Sequence, residues 1–227
     1  MRTYRNSTGP FSERPFFKPS EIERICEDAL REVGLYPVKP EPVRIERFIE
    51  KRFKVTPVYE PLPDGILGYT RFGPQGVEAV VVARSLSEDD SKVSRRRINT
   101  TLGHEAGHCL LHAHLFALAA ANLGSLFGGE LEGNTHQIMC RDRSKGRWHE
   151  VQANMVMGAI LLPRPLVLQA VDSFLVAHGV LGEKSIKESS RPAAIRQVSD
   201  VLDVNPIVAQ IRLGEMFPSS ESGQMAL

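Results

Sequence analysis

Residues 101–114 run TLGHEAGHCLLHAH, with four histidines and one glutamate in a single short stretch. His104 and His108 are four positions apart, so on a helix they lie one turn apart on the same side and their imidazoles can converge on one cation. Glu105 falls between them in sequence. This is the H-E-x-x-H arrangement, two zinc ligands plus a carboxylate placed to take a proton from an activated water. On a helical wheel Ile98, Leu102, Ala106, Cys109 and Ala113 form one stripe, and His104, Glu105 and His108 fall on another side. The helix is therefore expected to pack its back and present the triad. Gly103 and Gly107 each cost a helix about 1 kcal/mol against alanine, which points to close packing or site access as their purpose.

A catalytic zinc site takes three protein ligands and leaves a fourth position open. His112 lies eight residues from His104, roughly 12 Å along the axis at 1.5 Å per residue, so one straight helix cannot bring both to one ion. His112 is read as a side chain behind a ligand or on the helix face. The remaining candidates are His114, His136, Cys140, Asp142, His149 and Glu150. The segment WHEVQANMVMGAILL (148–162) favours the last of these. It is apolar nearly all round and so reads as a buried helix. On its wheel Glu150 shares a side with Ala153, Asn154, Met157 and Leu161, while His149 points about 100° away. A carboxylate on a buried face is costly unless it is paired or binds a metal. A solvated position in the helix's first turn is the other reading of Glu150.

These two segments, HEAGHCLLH and WHEVQANMVMGAILLP, resemble the ImmA/IrrE metallopeptidase family, in which an HExxH helix precedes an E-x-x-A-N helix that stops at a Leu-Leu-Pro-like end. The resemblance runs from about Ile22 to Leu213. Val156 and Met157 stand where the family pattern has Phe-Ala-like residues, and GNTHQIMCRDRSKGR lengthens the gap between the motifs. The resemblance implies an α+β fold, a zincin-like helical core with a small β-sheet. It implies Zn2+ held by His104, His108 and Glu150, with Glu105 as general base. It also implies a zinc metalloendopeptidase whose protein substrate is a helix-turn-helix transcriptional repressor, in a stress response or on a mobile element.

Around the motifs, periodicity divides the chain. Residues 1–19 are read as a flexible arm. A first helix is expected from Ser20, with Glu23 completing a capping box and Gly34 ending the run. A second begins after Pro42 and carries Ile45, Phe48, Ile49 and Phe53 on one face. VTPVY, GILGYTRF and VEAVVVAR are β-rich, and the last two read as a hairpin. The site helix is expected from about Asp90 to beyond His112, followed by an extended loop or lid across residues 115–147. Helical candidates follow at 164–178, 192–203 and 206–216, the last opened by Asn205 and Pro206. The expected organisation is a metallopeptidase domain over 20–178, a short all-α segment of helix-turn-helix proportions over 179–217 packed on it, and a disordered tail over 218–227.

Composition is that of an ordinary globular protein, 42% hydrophobic and 24% charged, with a formal net charge of +1. No global footprint for nucleic acid follows from that balance. No apolar run has the length of a membrane span, and MRTYRNSTGPFSERPFFKP lacks the apolar stretch of a signal peptide. Three cysteines without regular spacing argue against a disulfide framework, and a cytoplasmic protein without membrane contact is expected. The cluster Arg95–Arg97 reads as a solvated helix start, and Cys109 as a small core hydrophobe. In the C-terminal pair Arg212, with Gln210 beside it, is thin provision for reading DNA, so no direct nucleic-acid partner is expected.

If the chain is a peptidase, its oxyanion donor is sought among Tyr69, His136 and Arg141, and the edge of VEAVVVAR is the candidate for holding an extended substrate. Two other functions stay open. One is a DNA- or repressor-binding regulator with a structural or inactive zinc site; the other is a general peptidase with no dedicated target.

Overall fold

The computed structural model describes residues 2–5, 13–116, 136–141, 148–178 and 183–218. The order of elements is β1 (Arg2–Arg5), β2 (Glu13–Phe16), α1 (Pro19–Glu32), α2 (Ile45–Phe53), β3 (Val58–Glu60), β4 (Ile66–Gly73), β5 (Gly76–Ala83) and α3 (Lys92–Leu111). There follow β6 (His136–Arg141), α4 (Trp148–Leu161), α5 (Arg164–Ala170), β7 (Leu175–His178), β8 (Glu183–Ile186), α6 (Arg191–Val201) and α7 (Pro206–Met216). Mixed α+β architecture with a small sheet is what the sequence leads one to expect.

β4 and β5 form the expected hairpin. Gly73 pairs with Gly76, whose φ of +113° at the turn suits glycine alone. β3 runs parallel to β5 and β6 antiparallel to β4, so the four-stranded sheet has the order β3-β5-β4-β6. Val80, Val81 and Val82 of β5 are all fully buried, as a strand covered on both faces requires. β3 pairs with β5 along Val81–Ala83, so the expectation that VEAVVVAR would hold a substrate strand is corrected for those residues. Among the described residues β6 is an edge strand, in a stretch read from sequence as loop. Its backbone hydrogen bonds come from β4, a long-range pairing that Gly-rich, polar flanks do not advertise.

α3 crosses beneath the sheet and packs closely on α4. A Cβ on Gly107 would sit 2.8 Å from Ala153 Cα, and one on Gly103 2.9 Å from Leu161 Cδ1. Close helix contact is thus the reason for both glycines. The tight packing has a counterpart on the sheet side, where a Cβ on Gly68 of β4 would lie 2.8 Å from the Val81 carbonyl oxygen and 2.5 Å from Thr101 Cγ2. The last turns of α3 are consequently buried all round, from Thr101 to Cys109. The expected division into a packed back and a presented front does not hold there.

Four further differences have local causes. The N-cap of α1 is Lys18, not Ser20, and Glu21 accepts a hydrogen bond from the Lys18 backbone N–H at 2.7 Å. The supposed capping residue Glu23 is drawn instead into an ion pair with Arg212 at 2.6 Å. The run read as an arm includes the antiparallel pair β1–β2. The helical candidate at 164–178 ends at Ala170, and its last residues pair with β8.

One core takes in both the expected domain and the C-terminal segment: Ile22, Leu30, Phe48, Leu102, Val156 and Ile160 lie in the same cluster as Ala194, Val198, Val208 and Leu213. Asn205 caps α7, its side chain accepting from Ile207 N–H at 3.0 Å. Arg96, expected in solvent, is buried and donates to Asp203 at 3.0 Å and Asp200 at 2.9 Å, which ties α3 to the C-terminal pair. No single helix among the described residues is long and apolar enough to cross a membrane. The bent pair α4–α5 passes that test on length and composition, as a buried core helix also does. The tail from 219 onward and most of 115–147 lie outside the described residues.

Candidate metal centre

His104, Glu105 and His108 come from the buried end of α3, and Glu150 from the first turn of α4. The Gly107–Ala153 contact sets the distance between the two helices at this level. All four side chains are withdrawn from solvent, with exposures of 5%, 0%, 0% and 5% in that order. The two imidazoles face each other with His104 Nε2 and His108 Nε2 3.0 Å apart. Glu150 closes the cluster from the other helix, its Oε2 3.2 Å from His104 Nε2 and its Oε1 3.7 Å from His108 Nε2.

Three vertices of a tetrahedron with zinc-to-nitrogen and zinc-to-oxygen lengths of about 2.0–2.2 Å lie roughly 3.3–3.5 Å apart. The 3.0 Å between the two nitrogens, and the 3.2 and 3.7 Å from them to the two oxygens of the one carboxylate, are all close to that value. This buried His104–His108–Glu150 cluster can hold a metal ion, and its two nitrogens and one carboxylate oxygen are a donor set that suits zinc.

Electrostatics agree with that use. Burial, reinforced by the neighbouring His104 and His112, pushes the His108 imidazole well below its usual range and keeps it neutral, as a ligand must be. Burial alone would raise the Glu150 carboxyl. Hydrogen bonds from His104 and His149, together with the nearby histidines, outweigh burial and hold it well below the usual carboxylate range. The cluster thus sets the neutral His108 imidazole beside an ionised carboxylate.

Each ligand has a second partner behind it. His104 Nδ1 lies 2.9 Å from Asn154 Oδ1; an amide oxygen only accepts, so Nδ1 carries a proton, and Nε2 is the atom that faces the cluster and would bind the metal. His108 Nδ1 lies 3.1 Å from His112 Nδ1, and His112 Nε2 lies 3.0 Å from Gln152 Oε1. His112 is therefore buried behind a ligand, one of the two places expected for it. Glu105 is held from the sheet, with Thr70 Oγ1 donating to its Oε2 at 2.7 Å.

Among the other candidates, His149 differs from the wheel projection. It is buried, and its Nδ1 lies 3.3 Å from Glu150 Oε1, because a long side chain at a helix's first turn can lean back over its neighbour. His114 is exposed and apart from the cluster. The side chains of His136, Cys140 and Arg141 and the whole of Asp142 lie outside the described residues. Tyr69 does not face Glu105: its hydroxyl is 3.5 Å from Glu60 Oε2. Alternation along β4 turns Thr70 to α3 instead, so the strand contributes a residue that sequence reasoning passed over. Gln152 was missed too, although it lies two residues beyond Glu150. A pocket of about 330 Å³ lined by Ile22, Met155, Arg212 and Met216 lies away from all of these residues.

Neither a protein-family model nor a curated protein matches the chain.

Proposed function

We propose that the protein is a zinc-dependent endopeptidase with a zincin-like core, in which His104, His108 and Glu150 hold the metal and Glu105 is the general base. The observation that carries this reading is the buried cluster of His104 Nε2, His108 Nε2 and the Glu150 carboxylate, with contacts of 3.0, 3.2 and 3.7 Å. It is assembled from two helices, and an HExxH glutamate stands beside it. Zinc held there supplies a Lewis acid for the peptide carbonyl and lowers the pKa of water at the open position.

Glu105 accepts a proton from the attacking water as the new C–O bond forms, and returns it to the amine nitrogen as the C–N bond breaks. Thr70, bonded to one carboxylate oxygen, restricts the Glu105 rotamer during that exchange. The outer edge of β6 is the place for an extended peptide, since β6 borders β4 on the side away from β5. A helix-turn-helix repressor as substrate rests on the resemblance to the ImmA/IrrE family.

Metal content and cleavage test the proposal separately. Purified wild type is expected to hold one zinc per chain by elemental mass spectrometry, and Glu150→Ala to lose it. Glu105→Gln is expected to retain zinc and to lose cleavage by about 10²–10⁴-fold. Activity surviving in Glu105→Gln would remove the hydrolytic assignment.

The burial of Glu105 and His108 favours a second reading, a structural or inactive zinc in a regulator that binds its partner without cutting it. DNA contact through the C-terminal pair is disfavoured, because Arg212 is buried and paired to Glu23, Glu215 and the Leu162 carbonyl. Partner binding unaffected by Glu105→Gln, with no cleavage by wild type, would decide for this reading.

A further inference from the structure

We propose that the N-terminal strand β2 completes the metal centre through a one-way hydrogen-bond relay, in which the Pro15 carbonyl, Gln152 and His112 fix His108 as an Nε2 ligand. The inference rests on the zinc reading above and concerns residues that do not touch the metal. His112 and Gln152 are positioning residues, and their partner lies in the stretch whose sequence suggests only an arm.

The direction of the relay follows from its end. A carbonyl oxygen accepts only, so at 2.7 Å from Pro15 O the Gln152 amide presents its nitrogen. That orientation turns Gln152 Oε1, also an acceptor, towards His112 Nε2 at 3.0 Å. His112 must donate from Nε2. A neutral imidazole carries one proton, so its Nδ1 is left as an acceptor. His112 is fully buried, where a neutral ring is favoured over a charged one. His108 then donates from Nδ1 across 3.1 Å, and its lone pair is on Nε2, the atom facing His104 Nε2 and Glu150. Reversing any one link would set two acceptors or two donors against each other in a buried place.

The same strand is clamped from a second direction. His112 packs edge-on to Trp148, ring centroids 5.5 Å apart, and the Arg14 guanidinium lies 5.9 Å from the Trp148 centroid. Arg14 and Pro15 are adjacent in β2, so one strand backs the Trp148 ring that packs on His112 and terminates the hydrogen-bond chain. Pro15 and Gln152 are both buried, and water cannot easily replace either. The other ligand is held differently, since the Asn154 that partners His104 is exposed and a water can stand in for its oxygen. Outer hydrogen bonds to metal-binding histidines are worth about 10–100-fold in metal affinity, and the buried relay should carry more of that than Asn154.

The experiment uses the full chain, stripped of metal and titrated with zinc against a chromophoric chelator. Trp148, the single tryptophan, reports by fluorescence, and the visible spectrum of the cobalt-loaded protein reports ligand geometry. Gln152→Leu and His112→Phe are expected to weaken zinc about 10–100-fold and to shift the cobalt bands. Asn154→Ala should weaken zinc less than either. Ser199→Ala removes a buried hydrogen bond remote from the site, the 2.7 Å bond to the Val204 carbonyl, and should leave zinc affinity unchanged. It controls for loss of stability alone.

His112→Phe keeps a ring against Trp148 and serves if Gln152→Leu does not fold. Zinc affinity within twofold of wild type in Gln152→Leu or His112→Phe would overturn the relay, as would equal weakening in Ser199→Ala. Failure of wild type to bind zinc would overturn the metal centre itself, a different and recognisable outcome.

Discussion

Two of the polar clusters buried among the described residues solve the cost of burial in opposite ways. Around Arg212 every charge is answered from within the chain. The guanidinium donates to the Leu162 carbonyl at 3.1 Å, lies 2.6 Å from Glu23 and 3.6 Å from Glu215, and so joins α7 to α1 and α4. Around Glu150 metal-ligating atoms converge instead: two imidazole nitrogens and a carboxylate lie within 3.7 Å of one another, and the partners behind the rings turn both Nε2 atoms inward. The first cluster is closed by protein groups. The second gathers ligand atoms from two helices that one cation can satisfy together, and the difference separates a structural ion pair from a site.

Breaking each cluster should therefore give different kinds of loss. Arg212→Ala leaves Glu23 and the Leu162 carbonyl without their partner, and is expected to destabilise the fold by about 3 kcal/mol, with zinc affinity unchanged. Urea unfolding beside a zinc titration checks both halves. An equal effect on zinc would mean that the two clusters are one cooperative unit.

Gly107→Ala lies between the extremes. The added methyl meets the Ala153 backbone at 2.8 Å, which neither helix can absorb by rotating a side chain. A loss of about 1–3 kcal/mol is expected. Weakened zinc binding should accompany it, because Ala153 is one turn from Glu150 and the helices must separate. Stability and zinc affinity measured together sharpen the comparison, since here alone both should fall.

The smallest effect concerns pH. Burial, with a contribution from nearby Glu23, pushes the Cys26 thiol up to about 12. Above its ordinary value of 9.0 the unfolded chain releases this proton while the folded chain keeps it, so the folded state binds more protons. Stability is intact below about pH 9 and falls as the pH rises from there towards 12, by at most about 1.4 kcal/mol per unit. Denaturant midpoints between pH 8 and 11 should show the decline in wild type and less of it in Cys26→Ala. A pH-independent difference between the two would remove this source of alkaline sensitivity.

Much of the fold was legible locally. The hairpin of β4 and β5 follows from β-branched runs around a Pro-Gln turn, and α7 from Asn205 and Pro206. The triangle of His104, His108 and Glu150 was legible too, since i,i+4 spacing and a carboxylate in an apolar helix are statements about one turn of chain each. The capping of α1 was misread because Glu23 answers a residue 189 positions away. β6 was missed because its hydrogen bonds belong to β4.

What the sequence determined by itself is the chemistry on offer: two imidazoles on one helix face, a glutamate between them, and a second acidic residue with reason to seek a cation. What only the tertiary structure decided is the setting. It placed Thr70 behind Glu105, made Arg96 and Arg212 internal ties instead of surface charge, paired β3 with the end of β5, and brought a proline carbonyl from the N-terminal strand to the end of the hydrogen-bond chain proposed to orient His108. The physical reason is range. Periodicity and capping act over three or four residues, whereas a buried hydrogen bond must be completed by whatever group the folded chain brings within 3 Å, and nothing in local sequence encodes which group that will be.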